Sequence, residues 1–511
     1  MFDELTTNAQ ASAGAAAIGA WARVEAAACA RRLAAMVAVL DRCHAADGSA
    51  EREQWYLDNW GAVCAEIAAA QQVTSGAASH QLLVATALRD RLPCVAAVFA
   101  AGGVSYRLVS TIVWRTALIK DPEALREVDS ALASALLNWE PMSERKTVQA
   151  IDYWVDRFDR HALRRNQTQA RSRCIEIDVD GPSGTASLWG SLFAHDAVAL
   201  DRRLDALAAT TCRADPRTLD QRRADAMGAL ANGAEQLACL CGRPDCAATT
   251  TAGSVASSLV IHVVANSDAV SETGLVTAAD DTAALDGDAP PRPRCRPLRE
   301  QTLAEALADP PPTGPAATSP GVMIGGPVLA GPMVRRAALQ ATIKAIIHPG
   351  NSAPDPRYVP SRALADFVRC RDLTCRFPGC DEPADRSDID HTIAYPVGPT
   401  QASNLKILCR KHHLVKTFWG GGGGWRDRQL PDATVIWTSP EGLTHVTRPG
   451  SHLLFPALCV PTASVILDHA RAEDIRNGGL TMPRRANTRA QARSERVDEE
   501  RRLNEAEAAT A

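Results

Sequence analysis

Two pairs of metal-ligating side chains constrain this chain more than any other feature. Cys375 and Cys380 are separated by four residues that include Pro378 and Gly379, a turn that brings two thiols round to one point. After twenty-eight intervening residues come Cys409 and His412, three apart on a segment of helical character, so that they share a face. Four ligands at this spacing suit a tetrahedral structural zinc. Cys370 also stands five residues before a cysteine and rivals Cys375, but it precedes the turn and is read as core. Fifteen cysteines is an odd number in a chain whose start carries Asp3 and Glu4 rather than a basic, then apolar, export signal. A disulfide framework is therefore not expected, and clustered cysteines are read as metal ligands. Cys29, Cys43, Cys64 and Cys94 are read as small buried hydrophobes. Cys239, Cys241 and Cys246 surround a turn with Gly242 and Pro244, but no fourth ligand for a second zinc is evident.

Between the two pairs stand Asp388, Asp390 and His391, then Asn404 after twelve residues and His413 after eight more. Taken singly, Asp390 could be a buried carboxylate orienting a core histidine, and Asn404 a helix cap. Neighbouring helical residues point about 100° apart, so His412 and His413 cannot both serve one metal. Cys409 could pair with either.

The run 375–416 resembles the HNH (ββα-metal) endonucleases: a strand ending in Asp-His, a loop, an Asn-Leu opening, and a helix carrying Cys-x-x-His-His-x-x-Lys. More broadly, the runs 376–380, 389–392 and 418–421 look like an actinobacterial repeat family. Its members join a long upstream domain of unknown function to a C-terminal HNH module. The resemblance implies that His391 activates the attacking water, a task suited to an imidazole. It further implies that Asp390 and His413 hold one catalytic divalent metal (Mg, Mn, Ni or Zn), and that Asn404 bonds across the loop and keeps His391 oriented. The family pattern of a zinc ligand followed at once by the metal-binding histidine assigns the zinc to Cys375, Cys380, Cys409 and His412. His412 stands where the family usually has cysteine.

A net charge of −4 argues against a chain that coats nucleic acid. Locally the balance reverses: Lys406, Arg410, Lys411 and Lys416 fall within 404–416 with no acid among them, and phosphate contacts are expected there. The expected function is metal-dependent hydrolysis of DNA phosphodiester bonds. The alternatives are an inactive DNA-binding relic of a mobile element and a zinc-stabilised interaction protein.

The expected fold is α+β. Residues 1–266 read as a mostly helical domain with a few strands, and 267–320 as a mobile insertion rich in Pro, Ala and Asp. Residues 321–357 read as strand, helix and strand completing the first domain. The small zinc-supported ββα-metal module spans 358–420, a β-hairpin extension 421–460 and a charged tail 470–511, the last expected to be a solvated helix or disordered. Within the first domain, 92–101, a Gly102–Gly103 turn and a helix capped by Ser105 resemble a helix-turn-helix with Arg107, Thr111 and Arg115 on the second helix; an ordinary helical hairpin is the favoured reading. Residues 174–180 and 185–189 alternate like a hairpin, 195–209 reads as a helix, and 258–264 and 342–348 as strands. Phe418, Trp419 and Trp425 are read as core for a small sheet rather than as base-stacking platforms. No run is long and apolar enough to span a bilayer, and a cytoplasmic location is expected.

Overall fold

The structure, a computed structural model, describes residues 2–139, 142–163, 174–179, 185–246, 261–270, 285–287, 302, 304, 319–338, 341–467 and 481–508. Most of the expected insertion at 267–320 therefore lies outside the described residues, as do 258–260 and the expected hairpin turn.

Helices form in the first 163 residues because apolar positions recur at helical spacing and good caps punctuate them. Asp58, Thr74, Ser105, Asp121 and Ser143 each accept a backbone N–H in the following first turn. The long helix Gly14–Ala46 packs against Asn59–Gln71, Ser75–Asp90 and Pro93–Ala100, with Tyr106–Arg115, Pro122–Leu136 and Glu144–Phe158 completing the bundle. Leu33, Leu82, Phe99, Ile112, Leu132 and Ile151 lie in its core. Gly102 has φ +75°, and a Cβ there would meet the Arg23 carbonyl oxygen at 2.4 Å. The turn is thus pressed onto the long helix, as in an ordinary helical hairpin. Of the side chains offered for reading DNA, Arg115 is tied into the bundle by Asp152 at 2.5 Å, while Arg107, paired with Glu144 at 2.6 Å, and Thr111, donating to the Arg107 carbonyl, lie on its exposed face.

The strands Cys174–Asp178 and Ser187–Ser191 pair antiparallel, and the helices Ala194–Ala208 and Leu219–Ala231 follow. Val263–Ala265, Gly321–Met323 and Val328–Leu329 form one small sheet ahead of the helix Gly331–Ala338. The strand expected at 342–348 does not form: the segment finds no ladder partner and ends with the His348 ring edge-on to Phe367.

Near the C-terminus the strand Asp388–His391 pairs antiparallel with Leu405–Leu408, and the helix Arg410–Phe418 follows directly. The hairpin beyond it is a three-stranded meander, because Arg426–Gln429 adds a strand beside Val435–Thr438 and Thr444–Thr447. Trp425 and Trp437 are buried with Phe377 beneath that meander, bearing out Trp425 as core. Where it is described, the charged tail forms the solvated helix that was expected, exposed along most of its length, and one side of it docks. Its helix Arg489–Ala508 lies against the bundle, with Arg501 pairing with Asp159 at 2.6 Å and Asn504 donating to the carbonyls of His161 and Leu163. Arg485 and Arg489 both reach the fully buried Asp58, at 2.8 and 2.6 Å. Together these elements make an α+β chain of helices with several small sheets. Among the described residues, no helix is long and apolar enough to cross a membrane.

Candidate functional site

The Cys/His pairs converge as their spacing predicts. The ligand atoms of Cys375, Cys380, Cys409 and His412 all lie within 4.8 Å of one another, a set that could hold a metal such as structural zinc. Gly379, at φ +73°, makes the first turn, and a Cβ there would meet the Val73 carbonyl oxygen at 2.6 Å. Cys409 is the N-cap of Arg410–Phe418, which puts His412 one turn in. His412 Nδ1 lies 3.2 Å from Cys409 Sγ and 3.6 Å from Cys375 Sγ. Its other nitrogen, Nε2, lies 3.4 Å from Ser75 Oγ on the bundle, the kind of outer contact that fixes a ligating imidazole. Phe377 stacks on the ring at 4.1 Å. Cys370 stands outside the set, where burial pushes its thiol up to about 11.

On the neighbouring face, His413 is held between two carboxylates. Its Nδ1 lies 2.9 Å from Asp388 Oδ2 and its Nε2 3.6 Å from Asp390 Oδ1. Asp388 and Asp390 are two apart on one strand, so both point to the helix side. Asp390 sits opposite Lys406 in the ladder, and its Oδ2 receives Lys406 and Lys416, each at 2.6 Å. Both ammonium groups also reach Asp427, at 2.6 and 3.4 Å. Burial works to raise the Asp390 pKa, but the two lysines outweigh it and hold the carboxyl down to about 2.

His391 points to the opposite side of the strand. Its Nε2 lies 2.8 Å from Thr400 Oγ1, and Tyr358 stacks on its ring at 5.1 Å. Burial, helped by the positive charges of Lys416 and Lys406 and opposed by Asp390, lowers its pKa to about 4, so the ring is neutral near pH 7. Asn404 spans the intervening loop: it accepts from the Ile393 N–H at 2.8 Å and donates to the carbonyls of Ile393 and Pro399 at 3.0 and 2.9 Å. It orders the chain leaving His391 rather than the ring itself.

The expected phosphate-facing cations need correction. Lys406 is fully buried, clamped between Asp390 and Asp427, and cannot meet a phosphate. Lys416 turns inward to Asp390 and to the His391 and Thr392 carbonyls. Burial lowers the Lys411 pKa, so this side chain is not a free surface cation. Arg410 remains exposed, at 62%, with Asp388 3.6 Å away. Sequence reasoning missed Asp388, Thr400, Asp427 and Ser75. Period-two spacing from Asp390 was a usable signal for Asp388; the other three reach the site from separate segments.

Beneath the site, Asp372 is completely buried between Arg371 and Arg376, at 2.8 and 3.1 Å, and accepts the Ile407 N–H. Burial opposes ionisation, but the two guanidinium groups outweigh it and keep the Asp372 pKa below its ordinary value. Arg371 also donates to the carbonyls of Ala402 and Leu405, tying the start of the second strand to its support.

Residues 20–290 match the family described as Domain of unknown function (DUF222). The chain is 50% identical to the uncharacterized protein Rv2100 of Mycobacterium tuberculosis (strain H37Rv) over 497 residues, covering 96% of this chain and 87% of that one. It is 47% identical to the uncharacterized protein Rv3776 of the same strain, over 95% of this chain and 89% of the relative. No solved structure matches.

Proposed function

The chain belongs to the DUF222 family, and from the site it carries we propose that it is a metal-dependent endonuclease of the HNH type acting on DNA phosphodiester bonds. The observation that carries this reading is His413 with Nδ1 against Asp388 and Nε2 3.6 Å from Asp390 Oδ1. A histidine whose far nitrogen is fixed by a carboxylate is the usual design of a metal-ligating imidazole. Asp390 Oδ1 and His413 Nε2 are the atoms that would hold a divalent cation. That cation would supply polarisation of the phosphate and stabilisation of the leaving oxygen.

The chain's own groups supply the rest. His391 is uncharged and braced by Thr400, so a ring nitrogen can take the proton of the attacking water. Asn404 keeps the loop after His391 in place. Arg410, exposed beside Asp388, is a cation available to a substrate phosphate.

A plasmid-nicking assay with Mg²⁺, Mn²⁺, Ni²⁺ and Zn²⁺ tests the proposal. Wild type is expected to nick, and His391→Ala to lose at least about 100-fold in rate while keeping its melting temperature. Nicking at wild-type level by His391→Ala would overturn the assignment. One observation favours a second reading: both ammonium groups on Asp390 Oδ2 compete with a cation for that carboxylate. On that reading the protein is a DNA-binding relic of a mobile element without cleavage, and a gel shift would persist while plasmid stays intact in every metal.

A further inference from the structure

We infer that Cys212, Cys239, Cys241 and Cys246 hold a second structural zinc ion as a tetrathiolate, within the region that matches DUF222. Their four sulfurs lie within 4.8 Å of one another. Cys212 and Cys239 are 3.5 Å apart, Sγ to Sγ, far beyond a disulfide bond and close to the ~3.8 Å that tetrahedral ligation with Zn–S near 2.3 Å requires. Cys212 is the ligand the local spacing could not supply, because it stands twenty-seven positions before Cys239.

The backbone is built to bring it there. Arg217, buried, pairs with Asp215 at 2.8 Å and donates to the Ala238 carbonyl at 2.6 Å. Leu240 N–H donates to Asp215 at 3.1 Å, and Leu237 N–H to Thr210 Oγ1 at 3.0 Å. These contacts stitch 237–240 onto 210–217 and leave Cys239 facing Cys212. A tight turn with Gly242 at φ +67° and a bond from Cys246 N–H to the Arg243 carbonyl then returns Cys246 beside Cys241.

A second observation is independent of the sulfurs. Among the described residues of 194–246, the buried apolar side chains are Leu207, Ala208, Ala226, Leu237 and Cys239. Two helices with so few buried side chains cannot hold a fold by apolar burial alone, and a metal is the usual staple for such a unit.

The inference does not depend on the nuclease reading, and its test reads metal and thiols, not cleavage. Full-length protein purified under reducing conditions is expected to carry two zinc ions per chain by native and inductively coupled plasma mass spectrometry. The pair Cys241→Ser and Cys246→Ser should retain one, and the pair Cys380→Ser and Cys409→Ser should also retain one. Cobalt loaded into the latter variant should give the absorption of a tetrathiolate site. Thiol footprinting keeps the test open if a variant does not fold: in wild type, Cys212, Cys239, Cys241 and Cys246 should resist alkylation until a chelator is added. One zinc in wild type, prompt alkylation of those four thiols in the metal-loaded protein, or a disulfide among them after reducing purification would each overturn it.

Discussion

At the scale of single residues, the site turns on the charge states of His391 and Asp390. His391 is neutral near pH 7 because its surroundings are dry and two lysines add positive charge. If it is the base, cleavage should hold level from neutrality down to about pH 5 and fall as pH approaches about 4, which a pH–rate profile measures. The same shift acts on stability. A histidine at 6.5 when unfolded and about 4 when folded binds fewer protons in the native state, so stability rises with pH between those values and is lost on acidification through them. The loss is on the order of 2–3 kcal/mol, and His391→Gln should flatten that part of a stability–pH curve. Asp390, held near 2 by its lysines, adds a further loss only below about pH 4. Asp388 fixes the His413 ring from its Nδ1 side: Asp388→Asn should weaken metal affinity by about 10-fold or more, read by calorimetric titration with Mn²⁺. An unchanged affinity would remove Asp388 from the metal's outer contacts.

At the scale of elements, the strand pair and its helix stand on a buried charge cluster that the reading of motifs did not reveal. Arg371, Asp372 and Arg376 lie before the first strand, yet they bond to Ala402, Leu405, Ile407, Ala433 and Thr447. Asp372→Ala strands two buried guanidinium groups and should cost about 3–5 kcal/mol by denaturant unfolding; a change below about 1 kcal/mol would show the cluster relaxes or hydrates. The elements themselves were largely legible. The strand ending at His391 came with the family resemblance and the helix after Cys409 with the Cys-x-x-His spacing, whereas the strand at 405–408, buried at all four positions, was not foreseen. The segment 342–348 has strand-like composition but no neighbour to pair with, and ladder hydrogen bonds require a second chain segment. Lys406 was misread for a related reason: the basic run looked like a surface, and only the carboxylates of Asp390 and Asp427 explain an ammonium that is wholly buried.

At the scale of the whole molecule, the C-terminal site and the N-terminal bundle share one core. Leu57, Ala65 and Ala69 pack with Cys375, Phe377, Trp425, Trp437 and Met482, and Trp419 donates to the Leu57 carbonyl. Chelation should therefore lower the melting temperature of the bundle as well as of the zinc region, which far-UV circular dichroism follows before and after a strong chelator; a bundle transition that does not move would separate the two. A chain ending at residue 480 loses Arg485 and Arg489, both partners of buried Asp58, and should lose about 3 kcal/mol or more in a denaturant melt. What the amino-acid order determined by itself is what short-range chemistry can encode: caps, turns, helical and strand periods, and ligand pairs three to five residues apart. Tertiary structure alone decided that Cys212 joins three distant thiols, that Ser75 backs His412, that Lys406 is interior and that the charged tail docks on Asp58. Each of these joins segments from 16 to more than 400 residues apart, and no local pattern records which buried charge or ligand a remote segment will meet.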